Sequence, residues 1–138
     1  MGTFGEPTWI VAGHHIRSKL NATGTDLPKN TVVILDAVQD QITLPSASTD
    51  SVYGVTMEII KDGERGAVQL RGSTICLADG PLPTPGILVT MDAAGRVTTC
   101  APAGGTNAAV VGSLCDTALV LDEPVMVELS GPGIFLQG

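Results

Sequence analysis

The chain has 138 residues, 43% of them hydrophobic and only 3% aromatic. That length suits one domain with a core built without metals or disulfides, and the composition excludes a disordered chain. Seven Lys and Arg against fourteen Asp and Glu give a net charge of −7 with no basic cluster. Nucleic acid and anionic membrane are therefore not expected partners, and another protein is.

Residues 1–26 form an expected N-terminal arm and linker. The opening "MGTFGEPTWIVAG" lacks the basic and long apolar regions of a secretory signal, and Glu6 stands where a myristoylation signal has Ser or Thr. No apolar run approaches the roughly 20 residues of a membrane helix. The expectation is a product made and folded in the cytoplasm. "PTWIVAG" reads as a possible edge strand, "HHIRSKL" (14–20) as at most one or two helical turns, and "NATGTDLP" as a linker. Phe4, Trp9 and Ile10 are large apolar groups with no assigned place in the body, so they are the candidate partner-interface residues.

From residue 27 onward the chain repeats itself, as two copies at 27–80 and 82–138 forming a single β domain. "LPKNTVVILDA" answers "LPTPGILVTMDA" at an offset of 55 to 56, and "QIT" answers "RVT" at 55. "VYGV" answers "VVGS" at 58, and "VQLRG" answers "VELSG" at 59. After those closing glycines, Ile75 and Leu77 match Ile134 and Leu136. The order never changes, and the offset drifts only where Pro, Gly, Ser or Thr mark loops.

Each copy reads as short strands. A continuous apolar run (Val32 to Leu35, Ile87 to Met91) ends in the turn signals "DAVQD" or "DAAGR". A return strand follows at Ile42 or Val97, then a Pro/Ser/Gly/Thr loop, then "SVYGVTMEII" or "AAVVGSLCD". The alternating strands "VQL" and "VEL" close each copy, with Val68, Leu70, Val127 and Leu129 facing inward. Seventeen Gly, nine Pro and turns every 8–12 residues predict an all-β sandwich or barrel, jelly-roll-like and built from two tandem halves that close one core together.

Catalytic chemistry is not evident. Adjacent His14 and His15 would point to opposite faces of a strand, with no further ligand at metal spacing. Asp36 and Asp92 are equivalent in the repeat and occupy turns, where Asp serves the backbone; a carboxylate pair across a pseudo-twofold axis is the other reading. Cys76, Cys100 and Cys115 are odd in number without C-x-x-C spacing, so three reduced thiols acting as small buried hydrophobes are expected. No catalytic residue, metal or cofactor is assigned.

The second copy, "PGILVTMDAAGRVTTCAPAGGTNAAVVGSLCDTALVLDEPVMVELSGPG", resembles the cement or decoration proteins of tailed-bacteriophage heads. The residues carrying the resemblance are Gly86, Val89, Asp92, Gly95 and Val97, then Val110 to Gly112, Asp116, Ala118, and Val125 to Gly131. The first copy departs from this pattern, with Val38-Gln39-Asp40 where the second has Ala94-Gly95-Arg96. The resemblance implies a non-enzymatic virion protein that binds the major capsid protein on the outer capsid surface and stabilises the shell. Self-association fits a brace of about 14 kDa, as a homodimer or alternatively a trimer. A ligand- or carbohydrate-binding module and a small β-barrel enzyme are the other classes. One Trp and one Tyr are few for a sugar-stacking platform, and no set of converging polar groups nominates an active site.

Overall fold

The computed structural model describes residues 15–38, 40–102 and 104–138, and the residues described contain twelve strands and no helix. The first five strands are β1 (Ile16–Asn21), β2 (Val32–Leu35), β3 (Gln41–Thr43), β4 (Gly54–Thr56) and β5 (Arg65–Gln69). They close as a barrel in the order β1-β3-β2-β4-β5. A second barrel comprises β6 (Gly72–Asp79), β7 (Leu88–Met91), β8 (Val97–Thr99), β10 (Gly112–Leu114) and β11 (Leu121–Leu129). Its order is β6-β8-β7-β10-β11, so the two barrels share one topology strand for strand. In each, the first strand runs parallel to the third and antiparallel to the fifth. The remaining strands, β9 (Asn107–Ala109) and β12 (Phe135–Gln137), pair with each other outside the barrels.

The all-β class and the doubling are as expected, but the halves do not close one core as the two sheets of a sandwich. Each half closes on itself. Leu27, Val33, Ile42, Ile60 and Val68 fill the first barrel, while a larger cluster around Cys76, Val89, Met91, Leu114, Val125 and Val127 fills the second. Successive strand residues face opposite ways, which lets β2 serve both clusters. Val33 points into the first barrel; Val32, with Val55 of the neighbouring β4, packs into the second barrel's cluster. The Val32 amide also donates to the Gly95 carbonyl at 2.8 Å, so the barrels are joined by packing and by backbone. Val68, Val127 and Leu129 are buried as expected, whereas Leu70 is only half-buried.

The boundaries of the repeat shift accordingly. "IRSKLN", assigned from sequence to the arm and in part to a helical turn, is strand β1, and it pairs with β5 over five residues. Ile75 and Leu77 lie on β6, which opens the second barrel rather than closing the first, whereas residues 134–136 lie at or within β12. The structural copies are therefore 16–69 and 72–129. Barrel closure decides this, because without β1 the four strands β3-β2-β4-β5 would leave open edges at β3 and β5, and β1 covers both.

The turn between β2 and β3 explains the change of offset from 56 at the Asp-Ala pairs to 55 at the return strand. The Asp36 amide bonds the Gln41 carbonyl, whereas the Asp92 amide bonds the Arg96 carbonyl, so the first turn is one residue longer. Asp40 adopts a φ of 70°, matching Gly95 at 78°, so the true counterpart of Gly95 is Asp40. Asp is among the few non-glycine residues that tolerate this left-handed region.

Gly54 and Gly112 mark the tightest equivalent point. A Cβ at Gly54 would lie 2.5 Å from the Gln69 carbonyl oxygen, and one at Gly112 would lie 2.0 Å from that of Glu128. Gln69 and Glu128 are themselves equivalent, at the end of the fifth strand. Both oxygens belong to backbone held in the barrel ladder, so neither has room to yield. Gly54→Ala and Gly112→Ala are each expected to destabilise the protein by about 1–3 kcal/mol, read as a lower urea midpoint. An unchanged midpoint for both would show that the ladder can open there.

Candidate functional site

Phe4, Trp9, Ile10 and His14 lie outside the described residues. His15 is exposed, and its carbonyl accepts the Leu70 amide at 2.7 Å, a bond that fastens the start of β1 to the strand before β6. Asp36 and Asp92 act as turn residues. Asp36 Oδ1 accepts the Ala37 amide, and Asp92 Oδ1 accepts the amides of Ala94 and Arg96, each at 2.9 Å.

Asp92 does meet another carboxyl, but it is Asp79 at the end of β6. Desolvation, then the hydrogen bond with Asp92 and the charges of Asp92 and Asp122, raise the Asp79 pKa, with Arg96 opposing. Arg96 Nε donates to Asp122 Oδ1 at 2.6 Å, and its Nη1 lies 3.9 Å from Asp92 Oδ2. One arginine thus stands among three aspartates, and the excess negative charge adds to desolvation in raising the Asp79 pKa. No group of three or more His, Cys, Asp or Glu side chains among the described residues has the arrangement to hold a metal ion. The Asp79–Asp92 contact had no signal in the sequence, because it follows from the single-pair parallel contact of β6 with β8.

The first barrel carries the opposite arrangement. Asp40 lies between two cations, Arg65 and Lys19, the latter at 3.1 Å; Arg65 first and Lys19 second hold its carboxyl below the usual carboxylate range. Lys19 Nζ also lies 5.5 Å from the centre of the Tyr53 ring. A buried amide organises the other side. Asn21, fully buried, donates to the carbonyls of Ile60 and Thr25, while its Oδ1 accepts from the Thr23 amide and hydroxyl.

Shallow depressions mark the described surface. One, of about 430 Å³, is an open groove along the paired strands β1 and β5, lined by Ile16, Met57 and Ala67, with Arg17, Glu58 and Arg65 at its margins. One of about 200 Å³ lies by Leu35, Tyr53 and Pro132, and one of about 380 Å³ by Thr90, Thr98, Thr99 and Pro102.

All three thiols are free, but they are not alike. Burial pushes the Cys76 pKa up to about 12 and raises that of Cys100. Cys115, expected to be buried, is exposed because it lies just beyond β10, where the chain leaves the barrel wall.

No protein-family model matches the chain, and no curated protein sequence matches it. The fold is similar to that of the head fiber gp8.5 N base of bacteriophage phi29, known from a crystal structure. The TM-score is 0.58 at 12% identity, over 88% of this chain and 98% of that chain. At such identity the likeness is one of fold.

Two expectations follow. A thiol reagent should modify Cys115 in the native protein, and Cys76 and Cys100 only on unfolding; fast native labelling of all three would contradict the burial. Asp79→Asn keeps a hydrogen-bond donor beside Asp92 while removing the charge. A folded pKa raised above the unfolded value favours the native state at low pH, and this advantage is lost as pH rises from about 3.8 through the folded pKa. The variant should therefore gain in melting temperature relative to the original chain as pH rises through that window. A pH-independent difference would argue against the raised Asp79 pKa.

Proposed function

We propose that this chain is a structural protein of a phage virion that binds the outer surface of the capsid, contacts the major capsid protein there and stabilises the shell. The observation that carries this reading is the fold shared with the phi29 head fiber base along nearly the whole of both chains. The sequence resemblance of the second copy to head cement proteins points the same way from different data. Catalysis has no part in the reading.

The physical properties suit a brace. Two closed barrels leave no long strand edge open to pair with stray chains, a hazard for any β protein displayed at high density. A net charge of −7 keeps crowded copies soluble. Adhesion falls to the segment bearing Phe4, Trp9 and Ile10, whose large apolar groups have the character of interface hot spots.

Co-sedimentation with purified heads tests the reading. The protein should pellet saturably with head-sized particles and raise the temperature at which they release DNA. Protein remaining in the supernatant at all ratios would refute it. Deleting residues 1–12 should leave the melting temperature nearly unchanged and weaken particle binding at least tenfold, about 1.4 kcal/mol. Normal binding by the truncated chain would move the adhesive surface onto the barrels.

A further inference from the structure

The internal repeat supplies its own control for every surface feature, and one loop departs sharply from its counterpart. Between β4 and β5 the first barrel turns through Lys61-Asp62-Gly63. At the equivalent place the second barrel carries Leu119 and Val120 in the turn and Leu121 as the first residue of β11, exposed by 78%, 60% and 54%. The bridges Leu27–Ile60 and Leu82–Ala118 fix the equivalence of the two loops.

The chain opposite the loop explains why one is covered and the other bare. In the first barrel the connection after β1 runs over the turn: the Gly24 amide donates to Asp62, and Asp26 accepts the Asp62 amide, at 2.8 and 2.9 Å. From Asn21 to Leu27 that connection spans six positions; from its counterpart Ala78 to Leu82 it spans four. The shortened connection leaves the second loop uncovered. Glu123 Oε1 nevertheless accepts the amides of Leu119 and Val120, at 2.8 and 3.3 Å, so the apolar tip is held in one conformation. Preorganised apolar side chains in water are the makings of a docking surface.

We propose that the Leu119-Val120-Leu121 tip docks into the groove along β1 and β5 of a second copy of this chain. The groove offers apolar walls in Ile16, Met57 and Ala67. Charge selects it. Residues 72–138 hold one cation against six anions, net −5, whereas residues 16–71 hold six against seven, net −1. Contact between two second barrels sets −5 against −5, whereas contact of second barrel with first sets −5 against −1, a much weaker repulsion. At the rim, Asp116 beside the tip and Arg17 beside the groove form no ion pair among the described residues and are free to meet. Tip and groove are different surfaces of one chain, so the contact is head-to-tail, and it closes as a ring or continues as a filament.

Sedimentation velocity of the full chain, without capsids, tests this separately from particle binding. The original chain should associate in the micromolar range. Leu119→Lys with Val120→Asp, which writes the first barrel's loop into the second, should weaken association at least tenfold with an unchanged circular dichroism spectrum. Arg17→Asp and Asp116→Arg should each weaken it, and the doubly reversed chain should recover. A chain that stays monomeric, as when the tip serves a different protein, overturns the proposal. So does undiminished association of the loop variant, as when residues 1–14 fill the groove, or a doubly reversed chain that fails to recover.

Discussion

Each barrel is closed by a short parallel contact: two residue pairs between β1 and β3, and one between β6 and β8. An open five-stranded sheet of this kind would expose two edges, and most of these strands are too short for their ladders alone to hold the shape. The side chains at the seam complete the closure. Ile42 lies opposite Asn21 in the first barrel and Val97 opposite Ala78 in the second, and all four are fully buried. Remove the seam and both cores open to water, together with the face through which the barrels pack.

The two seams solve the same problem with different chemistry. Ala78 fills its place without polar atoms to satisfy. Asn21 brings an amide that must be bonded, and its partners, Thr23, Thr25 and Ile60, draw the following loop across the barrel end. An unmet buried amide costs about 1–3 kcal/mol, so that loop is anchored as firmly as the strand itself. The second barrel has no such anchor, and its shorter connection leaves the neighbouring turn bare. A difference at one interior position thus coincides with a difference in what each barrel shows to solvent.

Charge follows the same division. In the first barrel two cations, Arg65 and Lys19, flank Asp40, whereas the second barrel gathers three aspartates around Arg96 and has the Asp79 pKa raised. Duplication kept the backbone plan and freed the surfaces to diverge, giving one chain two unlike faces on two like bodies. A protein of 138 residues thus presents two differently charged surfaces on one repeated fold.

The all-β class, the doubling, the positions of β2, β3 and β8 and the turn roles of Asp36 and Asp92 were legible in the sequence. They depend on local periodicity and on turn residues a few positions apart, and the matching glycines at 54 and 112 show up as a shared "G" within the repeat. Where each copy begins was not legible. "IRSKLN" alternates poorly because its buried end is a polar asparagine, and a strand whose partners lie at Gln41 and Arg65–Gln69 announces nothing locally. The separate closure of the barrels, the meeting of Asp79 with Asp92 and the exposure of Leu119 were likewise decided only in three dimensions. Each depends on which distant backbone satisfies an edge, and a hydrogen-bonding edge carries no side-chain signature of its partner.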